Sequence, residues 1–216
     1  MVVTDVDMFQ IFTRFLRDYP TPRMLMNKVK AFRYDRHNLF WGNLAFKERP
    51  QYIAAQWDPE LMENTPTYVN MVPVDWEYVK SGRYRDERLG AKPGKWPTKP
   101  VFWEQAESVH DPHYAPPGYH TSLLEDYAPP ASYLTDKEWV QMKQEATGYF
   151  QKAWQKYAPN MTPENILGGD ITTPWDTVKR NINMREGCWC VGNENAYQMV
   201  KMRPLHELAN HRWKEI

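Results

Sequence analysis

Thr135–Tyr157 reads TDKEWVQMKQEATGYFQKAWQKY, and the fold turns on this stretch. Thr135 and Glu138 form a capping box, in which each side chain satisfies a backbone amide of the other at the start of a helix. Behind the cap, Trp139, Met142, Ala146, Phe150, Ala153, Trp154 and Tyr157 recur at helical spacing and make one apolar stripe. At 1.5 Å per residue such a helix runs about 33 Å, enough to cross a sheet.

Outward from this helix the chain reads as strands and turns. Val101–Ser108 and Tyr119–Tyr127 are strand candidates, joined by a stiff connection containing Pro112, Pro116, Pro117 and Gly118. Ile166–Ile171 is a further strand, and Thr173-Pro174-Trp175-Asp176 starts a short second helix with proline at its first position. Toward the N-terminus, Ala31–Tyr34 and Asn38–Phe46 read as a hairpin about the turn-prone Asp35–His37, and Thr67–Val74 as another strand. Met8, Ile11, Phe12, Phe15, Leu16 and Tyr19 share one helical face that Pro20 and Pro22 terminate. Between Glu77 and Pro100 the glycines and prolines predict a long loop. Without regular β-α-β alternation, these elements predict an α+β fold with a mixed or antiparallel sheet covered by the long helix. The expected organisation is an amphipathic helix and linker over residues 1–28, a substrate-binding domain over 29–204, and a tail over 205–216 at a subunit interface.

A length of 216 residues with 42% hydrophobic side chains fits one folded domain. The 27 basic and 27 acidic residues cancel, which argues against nucleic acid, whose binders carry excess Lys and Arg. No stretch reads as a secretion signal or membrane span, and Cys188 and Cys190 are too close for an unstrained disulfide and too few for a structural zinc site. These features predict a reduced, cytoplasmic setting. Ten Trp, thirteen Tyr and eight Phe suit either a core of large residues or an apolar interface or cavity.

Most chemical motifs fail on spacing. No Gly triplet at i, i+2 and i+5 marks a dinucleotide site, and Gly90–Lys95 is one residue short of a phosphate loop, with Pro93 removing a donor amide. His206 and His211 are five apart, about 140° around a helix, so they do not match a zinc-protease pair. His110, His113 and His120 with nearby carboxylates suit acid–base work or a metal, yet His120 and Asp126 would lie about 20 Å apart along a strand. No metal set is assigned.

Ordered short matches between Pro97 and Pro204 carry a resemblance. They include Lys99-Pro100-Val101-Phe102, Ser108, Asp111-Pro112, Ala115-Pro116-Pro117-Gly118-Tyr119-His120-Thr121 and Glu125-Asp126-Tyr127-Ala128-Pro129-Pro130. Tyr157-Ala158-Pro159-Asn160, Thr173-Pro174-Trp175-Asp176, Arg180-Asn181-Ile182-Asn183-Met184, Gln198 and Arg203-Pro204 follow. The run resembles the substrate domain of phytoene-desaturase-like flavoproteins, the FAD-dependent amine-oxidase type, including pyridine nucleotide-disulphide oxidoreductase domain-containing proteins. With the hairpin around Ala31–Phe46, it spans about four-fifths of the chain. The glycine-rich segments that hold flavin in that family have no counterpart here, so the resemblance implies one subunit of a split oxidoreductase, with FAD on a partner subunit and an apolar or alicyclic substrate between them. It implies His120 and Tyr127 as proton-transfer candidates and Trp189, Asn193, Tyr197 and Gln198 as cavity lining, with cofactor-binding residues left open. Structural roles compete at each: a core position for Trp189, a loop cap for Gln198, a brace of the proline-rich turn for His120. Three further alternatives are a non-catalytic scaffold, an independent metal enzyme using His110, His113 and His120, and a stand-alone ligand-binding module.

Overall fold

The computed structural model describes residues 3–60, 69–71 and 75–199 of the chain. Two elements precede the sheet: a short helix α1 (Met8–Gln10) continuing into a wider π turn (Ile11–Phe15), and α2 (Arg23–Ala31). The sheet takes β1 (Leu39–Phe46), β2 (Val69–Met71), β3 (Phe102–Gln105), β4 (His120–Tyr127) and β5 (Ile166–Thr172) in the order β2-β3-β4-β1-β5. Every neighbouring pair is antiparallel. Two short helices, α3 (Trp76–Lys80) and α4 (Arg83–Leu89), lie between β2 and β3. The long helix α5 (Asp136–Trp154) connects β4 to β5, and α6 (Pro174–Arg180) follows β5. The fold is α+β.

The capping box at Thr135 and Glu138 is present, and a second one, Thr173 with Asp176, starts α6 behind Pro174. The stripe of α5 packs on the sheet: Trp139, Met142, Ala146, Phe150, Ala153 and Trp154 join Phe40, Leu44, Phe46, Phe102, Leu124 and Ile171 in one core. Alternation sets which strand residues enter it, since successive side chains of a strand point to opposite faces. On β4, Ser122, Leu124 and Asp126 are buried while Thr121, Leu123, Glu125 and Tyr127 are half-buried.

Three expectations are corrected. Ala31–Tyr34 is no strand: Ala31 ends α2, and the expected local hairpin is replaced by long-range pairing of β1 with β4 on one side and β5 on the other. The intervening bend is held by the buried Asn38 side chain, which donates to the Tyr34 and Glu186 carbonyls. The stretch read as a long loop contains α3 and α4, with Asp75 capping the first by accepting from the Tyr78 amide. The N-terminal helix is interrupted: Thr13 Oγ1 bonds back to the Phe9 carbonyl at 2.6 Å, an interaction that bends helices, and Phe15, Leu16 and Tyr19 are exposed. Of Thr67–Val74, only Val69–Met71 is described as strand, and residues 205–216 lie outside the described residues.

Gly187 shows where a side chain has no room. Its φ is +73°, and a Cβ there would stand 2.5 Å from Pro174 Cα at the start of α6. Gly187→Ala is expected to cost about 2 kcal/mol, combining the left-handed backbone penalty with a displaced helix start. Thermal unfolding would then fall by about 4–8 °C; a shift below about 1 °C would mean that Pro174 yields freely.

Candidate functional site

A groove of about 1180 Å³ opens where the chain leaving α2 meets α4, the end of β4 and the loop 193–198. Its lining includes Arg33, Arg36, Arg85 and Arg88, opposed by Asp35 and Asp86. Guanidinium groups therefore outnumber carboxylates by four to two, and Tyr84, Tyr127 and Tyr197 supply ring surface.

Two walls are stitched together by side-chain amides. Gln198 Oε1 accepts from the Arg33 amide at 2.8 Å while its Nε2 donates to the Arg33 carbonyl at 3.1 Å, so one side chain pairs with both backbone groups of one residue. Asn193 Oδ1 accepts from the Arg36 amide at 3.0 Å, the Asn193 amide donates to the Arg33 carbonyl at 2.9 Å, and its Nδ2 donates to Asp35. Burial pushes the Asp35 carboxyl upward, but hydrogen bonds from Asn193 and Arg33 outweigh it and hold the group below its usual range. Asp35 therefore stays ionised and ties down Arg33.

The floor is Arg88. Buried beneath the groove, it donates to the Ala128 carbonyl at 3.0 Å and the Arg36 carbonyl at 3.2 Å, and its guanidinium lies 5.7 Å from the Tyr127 ring centre. Burial draws its pKa downward, with the field of Tyr84 and the buried Asp126 carboxyl opposing that. Burial also raises the Tyr127 phenol, a direction that favours its neutral, proton-donating form. Arg36 is exposed at the rim and Arg85 pairs with Asp86, leaving both within reach of a visiting anion.

Four of the six residues nominated from sequence meet here: Tyr127, Asn193, Tyr197 and Gln198. Their manner differs. Asn193 and Gln198 are buried with their amides engaged as clips, whereas Tyr197 is 82% exposed at the mouth. Trp189 lies outside the lining and stacks on Trp41, ring centres 4.3 Å apart and planes 5° from parallel. His120 stands at the other end of β4 from Tyr127 and on the other face, about 23 Å away along the strand. Its ring stacks on Phe46 and its Nδ1 is 3.4 Å from Ser108 Oγ, while burial and the nearby Arg49 lower its pKa. The two proton-transfer candidates are thus not brought together. His113 pairs with Asp111 in the exposed turn, and His110, His113 and His120 form no ligand group among the described residues.

Nor does the glycine turn at residues 90–94 offer a phosphate cradle: the Gly94 amide is engaged by Glu145 Oε2 at 2.8 Å, a carboxylate that Trp96 Nε1 also binds at 2.9 Å. A negative group already occupies the position a phosphate would need. Sequence reading missed Arg36, His37, Tyr84, Arg85 and Arg88. Tyr84 and Arg88, four apart, were a legible helical pair, but the surrounding Gly and Pro residues masked it. Among the described residues no helix is long and apolar enough to cross a membrane.

No family model matches the chain, and no curated protein matches it.

Proposed function

We propose that this protein is a ligand-binding subunit whose groove takes a small anionic molecule bearing a ring or other flat apolar part. The excess of guanidinium groups over carboxylates around three tyrosines carries this reading. Arg36 and Arg85 at the rim would meet the acidic group, and Tyr127 and Tyr84 would flank the ring. A purely apolar ligand suits such a lining poorly, so the expected substrate class shifts to one carrying a carboxylate or phosphate. The test is calorimetric titration with benzoate and with inorganic pyrophosphate. Either anion is expected to bind, and Arg36→Gln combined with Arg85→Gln to weaken it about tenfold or more, equivalent to about 1.4 kcal/mol. Equal affinity in the double variant, or no binding of either anion, would overturn the reading.

A narrower form is favoured by the gathering of four resemblance-derived residues at one groove. In it, the chain covers the substrate of an FAD-dependent oxidoreductase whose flavin sits on a partner subunit. Hydride exchange would belong to that flavin, and this chain would orient the substrate, with the Tyr127 hydroxyl as a proton donor in the groove lining. Co-purification with companion chains separates this form from a plain binding module: flavin absorbance is expected in the complex and not in the isolated subunit. FAD on the isolated chain, or on no complex at all, would sink it.

A further inference from the structure

We infer that His37, Cys190 and Glu194 form a binding site for one divalent transition ion of the zinc type, at the edge of the groove and distinct from its anion-binding arginines. One ligand atom from each lies within 4.8 Å of the others. Donors of a tetrahedral zinc stand about 3.3–3.8 Å apart at bond lengths of about 2.0–2.3 Å, so closure requires no pair to draw in by more than about 1.5 Å. Imidazole, thiolate and carboxylate together select a borderline-soft ion over magnesium or calcium, which take oxygen shells. Three protein donors leave a fourth position for water or for a group of the molecule in the groove, which His37 also lines.

The two chain segments are already fixed against each other. The His37 carbonyl accepts from the Trp189 amide at 2.9 Å, next to Cys190, and the Asn193 amide and side chain clip Arg33 and Arg36, next to Glu194. Between the two loop donors, Val191 sits at φ +50°, a left-handed conformation that a β-branched residue adopts only when its surroundings impose it. A turn closed by the Val191 amide on the Cys188 carbonyl separates the cysteines: Cys188 is buried and Cys190 exposed, so they do not share the face an extended strand would give them. His37 Nδ1, closed off from water, has no hydrogen-bond partner among the described residues. On binding, the Cys190 S–H bond is replaced by a sulfur–metal bond and its proton passes to the buffer; no electrons move.

The experiment is titration of chelator-stripped protein with Zn²⁺ and with Co²⁺, read by metal analysis and absorption. One ion per chain is expected, with a thiolate-to-cobalt charge-transfer band in the near ultraviolet. Cys190→Ser is expected to abolish the band, and His37→Gln and Glu194→Gln each to weaken binding about tenfold or more, with secondary structure unchanged by circular dichroism. Absence of a stoichiometric ion, a band that survives Cys190→Ser, or full affinity in both other variants would overturn the proposal. Should Cys190→Ser fail to fold, the exposed Glu194→Gln decides alone. The arginine double variant is expected to keep ion binding, so failure of the anion reading leaves this result standing.

Discussion

Replacing Trp154 with alanine is expected to cost the fold about 4 kcal/mol, the middle of the range for removing a buried large aromatic ring. Trp154 closes the stripe of α5 with no exposed surface, and its ring meets Phe46 of β1 edge-on with centres 5.8 Å apart. The loss is more than volume. Trp154 Nε1 donates to the Tyr52 hydroxyl at 3.3 Å, so truncation also strips a partner from a buried polar group. Denaturant unfolding followed by circular dichroism measures the effect, and Trp57→Ala, at a position 80% exposed, serves as control with a change within about 0.5 kcal/mol. A loss below about 1 kcal/mol at Trp154 would mean that helix and sheet are not packed as described.

The second large effect concerns the carboxyl at the other end of that chain of bonds. Glu104 projects from β3 into the core without exposure; Tyr52 donates to its Oε2 at 2.5 Å, and its Oε1 has no partner among the described residues. Burial pushes its pKa from 4.5 up to about 7, against the opposing influence of the Tyr52 and Ser122 hydroxyls. Below pH 4.5 the group is protonated folded or unfolded and stability is unaffected. As pH rises from about 4.5 to 7, the unfolded chain ionises while the folded chain keeps the proton, so stability falls; above about 7 both have ionised and the loss levels off. It amounts to about 3 kcal/mol across that window. Glu104→Gln keeps an oxygen for Tyr52 and cannot titrate. The difference in unfolding free energy between the two proteins is therefore expected to change by about 3 kcal/mol between pH 4.5 and about 8, in favour of the variant at the alkaline end. The unpartnered amide hydrogens of Gln add a constant offset that does not tilt the difference. A pH-independent difference would show that Glu104 is better solvated than its position implies.

What the sequence disclosed, it disclosed where local and global preferences agree. The helix Thr135–Tyr157 with its capping box, the proline-led helix start at Thr173, and the strands around Phe102, Leu124 and Ile171 are legible because spacing, caps and burial point the same way. The supposed hairpin failed because β1 reads as a strand for reasons of composition, while its partners are chosen by the whole sheet and lie far along the chain. Tyr127, Asn193, Tyr197 and Gln198 were singled out by likeness, yet the likeness carried nothing about Arg36, Arg85 and Arg88, which meet them only in three dimensions. Likewise His37 and Cys190 have no motif linking them, being brought together by backbone bonds between two distant segments. His120 and Tyr127 were read from one strand, and strand alternation itself separates them.

The interior place of β1, between β4 and β5, also has a consequence for birth on the ribosome. Residues 39–46 emerge early, but the segments that complete their two edges, residues 120–127 and 166–172, are translated much later. Until those segments are made, the nascent strand carries unsatisfied edges on both sides, the kind of surface that seeks another chain. Closure comes only after α5 has been made and laid across, so folding is dominated by distant contacts and is expected to be slow and dependent on chaperone protection.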